Sequence, residues 1–336
     1  MKPLKVGIIG LGRIGKIHLD NLLKIPTVEV VTAVNPSEAG QSYAKALGVP
    51  NTTSDADELF DNTEIDAVII SSSTDTHAQY AVRGAAAGKA IFCEKPLDLS
   101  LETVKGTLEK VNAAGVPLMV AFNQRFDQNF SAIRSAVVSG QIGELHTLHI
   151  ISRDPGPPPI AYIKTSGGLF KDMTIHDFDM ARFIVGSEVA EVFAKGHNLV
   201  DPAIGEAGDI DTGIVTLTFE NNATAVIENS RKAIYGYDQR LEVFGSKGMM
   251  KCENPLKTVN QFYNESGGHT DRNLDFFIDR YEKAYQLEIE AFTSALANNR
   301  PMPVTGEDGL QALLIAEAAN RSLAESRPVK LKEIQL

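Results

Sequence analysis

The chain has 336 residues, of which 43% are hydrophobic and 22% charged, and its formal net charge is −11. This length suits about two domains with sizeable cores. Such an acidic chain has no electrostatic field for nucleic acid or an anionic membrane. Two cysteines, Cys93 and Cys252, are too few for a disulfide framework and favour a reducing compartment. With no signal-peptide pattern and no apolar run near ~18 residues, we expect a cytoplasmic protein.

The first third of the chain alternates short apolar runs with amphipathic stretches. Five runs rich in Val and Ile are predicted strands: "LKVGIIG", "VEVVTAV", "DAVIISS", "KAIFCEK" and "VPLMVAF". The stretches between them are predicted helices: 13–24, 37–47, 76–87 and 100–113. This alternation is typical of a parallel sheet that is buried on both faces. We therefore predict an α/β fold, a Rossmann-type doubly wound parallel sheet, over residues 1–123.

The first turn, "GLGRIG", has G-x-G-x-x-G spacing between a predicted strand and a predicted helix, which is the context typical of dinucleotide binding. The glycines allow a sharp turn and a close approach of backbone to a pyrophosphate, and the helix N-terminus offers N–H groups to it. A glycine turn without a ligand is the alternative. The residues predicted to contact the dinucleotide from this turn are Gly10, Gly12, Arg13, Ile14 and Gly15.

The end of the second predicted strand bears on the choice of cofactor. An acidic residue is expected there, because it binds the ribose hydroxyls and repels a 2′-phosphate. The chain has Asn35 at this place, which can bond a ribose hydroxyl but carries no charge against NADP, and Ser37 could donate to a phosphate. No Arg or Lys lies in the next few residues. We expect NAD as cofactor, with NADP possible.

The second part of the chain has a different pattern. Apolar and polar residues alternate in "HTLHIISRD", "VAEVFAKGHNL", "DTGIVTLTFE", "ATAVIENSRK" and "QRLEVFGSKGMMKC". This alternation indicates antiparallel strands with one covered face. Two helices are predicted near the end, at 273–298 and 307–326. We predict an α+β domain over residues 124–336 with a large, mostly antiparallel open sheet, whose open face suits a contact between subunits.

The stretch "GGLFKDMTIHDFDMARFIVG" has the length and period of a helix. Asp172 and His176 are spaced i, i+4, and Asp179 follows three residues later, so the three share one predicted helix face. A carboxylate beside an imidazole fixes its tautomer and raises its basicity, which suits a general base. Asp177 is predicted to face solvent or to cap the helix. A surface Asp–His pair and a metal site are the alternatives; no third ligand has convincing spacing, so we expect no metal.

Three motifs together resemble the glucose–fructose oxidoreductase/inositol dehydrogenase/rhizopine-catabolism family over nearly the whole chain: "GLGRIG", "FCEKPL" and "GGLFKDMTIHDFDM". The block 153–183 and "YGYDQRLEVFGSKG" are most similar to its inositol 2-dehydrogenase branch. The resemblance implies a dehydrogenase that oxidises a secondary hydroxyl of a cyclitol with hydride transfer to NAD. Oxidation of myo-inositol to 2-keto-myo-inositol is the favoured reaction. The family forms dimers and tetramers through the open sheet, and we expect a homotetramer.

The resemblance also implies roles for individual residues. Lys95 would lie beside the nicotinamide and hydrogen-bond the reacting oxygen, with a cis bond to Pro96, and Glu94 would lie near the cofactor. His176 would be the general base and Asp172 its partner. The loop after the third predicted strand would add the cofactor contacts Ser72, Ser73, Thr74 and His77. By position or resemblance, the substrate contacts beyond Lys95, Asp172 and His176 would be Arg125, Asp154, Tyr162, Asp179 and Tyr235.

Other functions are compatible with the same motifs. Ser152 and Asp154 stand where some inositol dehydrogenases have His and Asn, so another inositol isomer or a sugar is a possible substrate. An NAD-dependent glycosidase of the same family would restore its cofactor in each turnover and give no net NADH. A non-catalytic regulator on this fold would bind nucleotide only, and the presence of Lys95, Asp172 and His176 together argues against it.

Overall fold

The computed structural model describes residues 2–334, which form two compact units. The first unit comprises residues up to 123 together with 283–311, and the second comprises 124–282 together with residues from 312 onwards. Residues 283–311, expected in the second domain, thus belong to the first unit. Phe292 shows why, since its ring packs against Phe92 with centroids 5.5 Å apart. Within residues 2–334, no helix combines the length and apolarity needed to cross a bilayer.

The first unit contains a six-stranded sheet. Its strands are β1 (Leu4–Ile9), β2 (Val28–Val34), β3 (Asn51–Thr53), β4 (Ala67–Ile70), β5 (Ala90–Glu94) and β6 (Leu118–Ala121). They are parallel in the order β3-β2-β1-β4-β5-β6, which confirms the Rossmann-type sheet. β4 and β6 are buried at every residue, as their uninterrupted apolar sequences predict. The sequence did not predict β3, because it is short and polar.

Five helices connect these strands: α1 (Arg13–Leu22), α2 (Glu38–Ala46), α3 (Asp57–Phe60), α4 (Thr74–Ala86) and α5 (Leu101–Ala114). Ser37 and Ser100 cap α2 and α5, since each hydroxyl accepts a hydrogen bond from a backbone N–H three residues later. α1 begins after Gly12 with neither a side-chain cap nor an acidic residue in its first turn. Its first N–H groups are therefore not capped by Gly12, which has no side chain.

The second unit is built on a seven-stranded sheet with a small hairpin. The strands are β7 (Leu145–Arg153), β8 (Val189–His197), β9 (Thr212–Phe219), β10 (Thr224–Ser230), β11 (Asp238–Gly245), β12 (Gly248–Cys252), the hairpin strands β13 (Gln261–Asn264) and β14 (Gly267–Thr270), and β15 (Val329–Lys330). The sheet order is β12-β11-β7-β10-β9-β8-β15. β7 and β10 are parallel and the other neighbours antiparallel, so the expected mostly antiparallel sheet is confirmed.

The remaining helices follow in chain order. They are the 3-10 turn Asn123–Phe126, α6 (Gln128–Val138), α7 (Ile160–Ser166), α8 (Gly168–Asp172), α9 (Thr174–Val185), α10 (Pro202–Glu206), α11 (Phe277–Ala297), α12 (Gly306–Glu325) and the 3-10 turn Leu331–Glu333. α9 packs on β7 and β10 and carries the buried side chains that cover that face of the sheet. α11 is kinked at Tyr281, whose φ of −114° and ψ of 15° are not helical.

Candidate active site

The glycine turn after β1 has the geometry that a dinucleotide requires. Gly10 has a φ of +90°, and a Cβ on it would lie 2.5 Å from the backbone of Ser72. A Cβ on Gly15 would lie 1.9 Å from the carbonyl oxygen of Gly10, whereas a Cβ on Gly12 would meet no atom within 4 Å. Packing thus requires the outer two glycines, and Gly12 borders open space at the start of α1. That space suits a pyrophosphate, so the residues present fit NAD; Arg13 and Ile14 open the helix beside it.

Asn35 fixes the glycine turn from the end of β2. Its Oδ1 accepts a hydrogen bond from the backbone N–H of Leu11 at 2.8 Å, and its Nδ2 donates to the hydroxyl of Ser37 at 2.8 Å and to its carbonyl at 3.2 Å. The side chain is buried. This positioning role was not foreseen from the sequence, and the contact of Asn35 with a ribose stays a prediction.

The loop after β4 lies beside the glycine turn, because β1 and β4 are neighbours. Ser72 Oγ shares a hydrogen bond with Thr76 Oγ1 at 2.7 Å, Ser73 is the N-cap residue of α4, and Thr74 begins that helix. His77 is buried, with Nδ1 2.8 Å from the carbonyl oxygen of Pro96 and Nε2 3.1 Å from that of Ser72. His77 therefore joins this loop to the segment after Lys95, and direct contact of these residues with a cofactor stays a prediction.

Glu94 and Lys95 lie at the carboxyl end of β5, where open α/β sheets bind their ligands. The Lys95–Pro96 peptide bond is cis, as expected. The Glu94 carboxylate is held on both sides: Oε1 is 2.7 Å from Nε2 of His18, and Oε2 accepts from the Lys95 backbone N–H at 3.2 Å. The backbone on which Lys95 is presented is thus tied to its neighbour's side chain.

In the second unit, a buried arginine connects two of the predicted site carboxylates. Arg231 Nη2 donates to Asp172 Oδ2 at 2.9 Å, and Nη1 donates to Asp154 Oδ2 at 3.3 Å. Tyr162 Oη donates to the other oxygen of Asp172 at 2.8 Å. Burial lowers the pKa of Arg231, but the charges of Asp172 and Asp154 outweigh this effect and raise it overall. A permanent cation therefore sits between the two carboxylates.

Sequence reasoning missed Arg231 because it did not identify β7 and β10 as a parallel pair. β7 and β10 are parallel, and their register pairs Ser230 with Arg153. The residues that follow each strand, Asp154 and Arg231, therefore emerge side by side at one end of the sheet. The polar end of the segment "ENSRK" contains Arg231. It indicates a partner for Asp154 only when the parallel pairing of β7 and β10 is known.

The predicted continuous helix around Asp172 is wrong. α8 ends at Asp172 and α9 begins at Thr174, with Met173 (φ −96°, ψ −58°) between them. Asp172 therefore ends one helix while His176, which is half-buried, lies in the first turn of the next. The sequence did not predict this break between the two helices, because Met173 is neither Gly nor Pro. The direct hydrogen bond between Asp172 and His176 stays a prediction.

Asp179 and Arg125 form a paired group. Arg125 Nε donates to Asp179 Oδ2 at 2.7 Å and its Nη2 to Oδ1 at 2.5 Å, a two-point geometry that fixes both planes. The guanidinium also lies over the ring of Phe183, 5.0 Å from the centroid. Both residues were predicted to contact the substrate. The pair lies at the start of the second unit and on α9, and its contact with substrate stays a prediction.

Tyr235 belongs to a second polar cluster. Its hydroxyl donates to Asp238 Oδ2 at 2.6 Å and accepts from Arg153 Nη1 at 2.5 Å. Burial opposes ionisation of Asp238, yet the hydrogen bonds from Arg240, Tyr235 and Asn254 together lower its pKa. The side chain of Tyr235 is 44% exposed, so its ring remains open to a ligand; its role in substrate binding stays a prediction.

The expectation that Asp177 faces solvent or caps the helix is wrong. Asp177 is 1% exposed, and its Oδ2 accepts from Nδ2 of Asn229 at 2.7 Å. Asn229 is itself held by Thr174, whose hydroxyl donates to its Oδ1 at 2.9 Å. α9 is covered by α6 and α8 as well as by the sheet. Most of its residues are therefore buried, although its polar residues suggested a solvent-exposed face. Burial raises the pKa of Asp177 to about 7; the Asn229 bond opposes this and the charge of Asp154 adds to it.

The fold and the glycine turn define an NAD-binding oxidoreductase domain followed by an α+β domain, and comparison with protein families agrees. Residues 4–122 match the family described as "Oxidoreductase family, NAD-binding Rossmann fold". Residues 130–251 match the "GFO/IDH/MocA C-terminal domain". The chain belongs to the GFO/IDH/MocA family of oxidoreductases, which confirms the resemblance seen in its motifs.

Several characterised or solved proteins are similar along their whole length. The chain is 47% identical to "Myo-inositol 2-dehydrogenase" of Thermotoga maritima, with 98% of this chain and 99% of the relative covered. It is 46% identical to "Inositol 2-dehydrogenase" of Rhizobium meliloti, with 98% and 99% covered. The crystal structure of scyllo-inositol dehydrogenase from Lactobacillus casei with bound NAD(H) and scyllo-inositol is 32% identical, with a TM-score of 0.92 over 98% of this chain and 100% of that one.

Proposed function

We propose that the chain is an NAD-dependent inositol 2-dehydrogenase that oxidises myo-inositol to 2-keto-myo-inositol. The observation that carries this proposal is the end-to-end similarity, at 46–47% identity, to two proteins named as inositol 2-dehydrogenases. The glycine turn fits the cofactor, and the chain has the Lys, Asp and His that the family resemblance assigns to catalysis: Lys95, Asp172 and His176.

Each group has a distinct task in this proposal. NAD, when bound, accepts the hydride from the carbon that is oxidised. Gly10, Gly12 and the N-terminus of α1 would hold the pyrophosphate. Lys95 donates a hydrogen bond from Nζ to the hydroxyl oxygen and stabilises it as it becomes a ketone. His176 accepts the hydroxyl proton on an imidazole nitrogen.

Arg231 gives the proposal a feature that the sequence did not suggest. It fixes the Asp172 carboxylate from one side while Tyr162 donates from the other, so Asp172 has one defined orientation. It also offsets part of the negative charge that Asp172 presents to its surroundings. Asp172 would therefore orient His176 and stabilise its protonated form moderately, as suits a base that must release the proton again.

The experiment that tests the function is a substrate panel with the purified protein. Reduced cofactor is followed by absorbance with myo-inositol, scyllo-inositol, other isomers, sugars and aryl glycosides, with NAD and with NADP. We expect the highest kcat/KM for myo-inositol with NAD, since two similar proteins at 46–47% identity are named as inositol 2-dehydrogenases, whereas the scyllo-inositol dehydrogenase of Lactobacillus casei is 32% identical. Release of aryl alcohol without net NADH would instead identify a glycosidase.

We further propose a homotetramer that forms through the open face of the seven-stranded sheet. Ile214, Phe244 and Met249 lie on β9, β11 and β12 and are about half exposed, and Phe244 and Met249 are cross-strand partners. Exposed large apolar side chains on a sheet face, such as the Phe244–Met249 pair, are typical of subunit contacts. Native mass spectrometry of the wild type, Phe244→Asp and the control Val138→Asp, on the exposed side of α6, tests this. If Phe244→Asp formed an oligomer with the same number of subunits as the wild type, this face would be excluded as the subunit contact.

We assign the enzyme to inositol catabolism in the cytoplasm. The free thiols Cys93 and Cys252 support a reducing compartment. Deleting the gene should abolish growth on myo-inositol as sole carbon source and leave growth on glucose unchanged. Growth of the deletion strain on inositol at the normal rate, with no second inositol dehydrogenase activity in its extracts, would exclude this pathway.

A further inference from the structure

Three titratable side chains meet in the interior of the first unit. His18 comes from α1, Glu94 from the end of β5 and Glu288 from α11, and one nitrogen or oxygen from each lies within 4.8 Å of the others. His18 and Glu288 are completely buried. Neither residue has a task in the proposed reaction, yet both surround the residue that precedes Lys95.

The partners of His18 define its protonation. Nε2 lies 2.7 Å from Oε1 of Glu94, while Nδ1 is buried and has no hydrogen-bond partner among residues 2–334. A proton on Nδ1 would be a buried donor without an acceptor, which is costly. We assign the proton to Nε2, so His18 is neutral and donates to a charged Glu94. The ring packs edge-on against Phe92 and Tyr285, which holds it in that orientation.

Glu288 has the opposite difficulty, because neither carboxyl oxygen accepts a hydrogen bond from a donor in the described part of the chain. An ionised carboxylate in that position would be desolvated, without donors and next to the charge of Glu94, and each of these conditions disfavours ionisation. Burial and then the charge of Glu94 raise the pKa of Glu288 well above its usual range. The cluster therefore needs a positive partner, either a proton or a metal ion.

The contacts favour a proton. Ligand atoms around a tetrahedral zinc ion at about 2.0–2.2 Å are roughly 3.3–3.6 Å apart, but His18 Nε2 and Glu94 Oε1 are already in direct contact at 2.7 Å. A metal-bound histidine also usually donates its second N–H to an acceptor, and within residues 2–334 His18 Nδ1 has none. An O–H group on Glu288 facing Glu94 requires neither a fourth ligand nor any separation of this pair.

We propose that Glu288 is a neutral carboxylic acid that donates its O–H to the Glu94 carboxylate and thereby acts as a positioning residue for the segment that carries Lys95. The proton stays on Glu288. Glu94 then receives hydrogen bonds from three directions: His18 Nε2, the Lys95 backbone N–H and Glu288. With Glu94 fixed, the backbone of Lys95 is fixed as well. This inference deepens the proposed function and rests on it only for its kinetic test.

Infrared difference spectroscopy tests the proton directly, and its outcome does not depend on the substrate. Spectra of the full-length wild type and Glu288→Gln are compared at about pH 8. We expect the variant to lack one carbonyl band of a protonated, buried carboxyl group. Asp177→Asn is the matched control and should retain that band, because Asp177, with a pKa of about 7, is mostly ionised at this pH. Identical spectra for wild type and Glu288→Gln would overturn the proposal, as would a stoichiometric metal in the wild type that the variant loses.

Kinetics test the positioning role. In Glu288→Gln the amide can donate in place of the O–H, so we expect kcat with myo-inositol within about threefold of wild type. In Glu288→Leu the donor is lost, and we expect kcat to fall tenfold or more with KM for the polyol within about threefold. An equal loss in both variants would contradict the role as donor. If Glu288→Leu does not fold, the infrared comparison still decides, and it also stands if no polyol proves to be a substrate.

Discussion

At the level of single residues, Arg231 and Asp172 should affect His176 in opposite ways. If His176 is the base, polyol oxidation falls at low pH as the imidazole becomes protonated. Arg231→Met removes a positive charge beside Asp172 and so favours the protonated imidazole, and the acidic limb of kcat/KM should move to higher pH by roughly one unit. Asp172→Asn leaves the Arg231 charge and should move the limb to lower pH. The measurement is a pH profile of myo-inositol oxidation at saturating NAD.

Asp177 is the control for this pair of variants, because its own pKa of about 7 would give an acidic limb if the reaction required its ionised form. Asp177→Asn should keep the acidic limb where the wild type has it. If this variant removes the limb, Asp177 rather than His176 sets it. If the acidic limb of kcat/KM moved in the same direction in Arg231→Met and Asp172→Asn, the charges of these two residues would not set the pKa of the base.

Lys95 lends itself to a separation of binding from chemistry. Lys95→Met removes a hydrogen-bond donor at an oxygen where charge develops, and such a loss commonly lowers kcat by about 10²–10³-fold. NAD affinity should stay within a few-fold of wild type, because the glycine turn and the α1 N-terminus are unchanged. Fluorescence titration of the cofactor and steady-state rates measure the two quantities. Normal turnover in Lys95→Met would show that Lys95 takes no part in catalysis.

At the level of elements, a substitution in the glycine turn can separate an effect on NAD binding from an effect on the stability of the fold. A methyl group on Gly12 meets no protein atom, so Gly12→Ala should destabilise the fold by less than about 1 kcal/mol, through the poorer N-cap. It should weaken NAD binding tenfold or more, since the methyl takes the space of the pyrophosphate. Gly106→Ala, equally uncrowded but inside α5, should retain NAD affinity and gain about 0.5–1 kcal/mol. Equal NAD affinities in the two variants would place the pyrophosphate elsewhere.

Asp177 should make α9 sensitive to pH. Its pKa is about 7 in the folded chain and about 3.9 unfolded, so the folded state binds the proton more strongly. The stabilisation is complete below pH 4, is lost as pH rises to about 7, and amounts to the order of 4 kcal/mol. Asp177→Asn should remove this dependence and be the more stable protein at pH 8. Urea unfolding between pH 4 and pH 8 measures it; Asp238→Asn, whose wild-type pKa is lowered, should lose stability at neutral pH instead.

Much of the element structure was predictable from the sequence. Apolar runs located the strands of the parallel sheet, because a strand buried on both faces needs them, and "GLGRIG" located the nucleotide turn. The break at Met173 and the partner of Asp172 were not predictable. Both depend on tertiary contacts: α9 is covered on several sides, and Arg231 reaches Asp172 only because β10 pairs with β7 in parallel. Sequence periodicity indicates which faces of an element are buried, but it does not indicate which strands are neighbours in a sheet.

At the level of the whole molecule, the first unit is discontinuous, and this has a measurable effect. Residues 283–311 supply Phe292 to Phe92 and place Gly306 against Leu108 of α5. A fragment of residues 1–123 should therefore lack part of its core and show no cooperative unfolding. Joining 283–311 to it through a flexible Gly/Ser linker should restore cooperative thermal unfolding and NAD binding.

The fused fragment with Phe292→Asp is the control for this prediction, and it should behave like the short fragment. Circular dichroism during heating and cofactor fluorescence measure the three proteins. A fragment of residues 1–123 that unfolds cooperatively and binds NAD by itself would show that the later segment is dispensable for the nucleotide-binding unit.

The discontinuous first unit also sets an order of events during protein synthesis. The strands and helices up to residue 123 leave the ribosome early, but their last core residues, up to 311, are made roughly 190 residues later. At about 5–20 residues per second, the nascent unit waits on the order of 10–40 s with the surface for Phe292 uncovered. Unlike a domain that is contiguous in sequence, this one cannot finish folding until nearly all of its partner has been translated. The apolar surface around Phe92 therefore stays uncovered in the nascent chain throughout that interval.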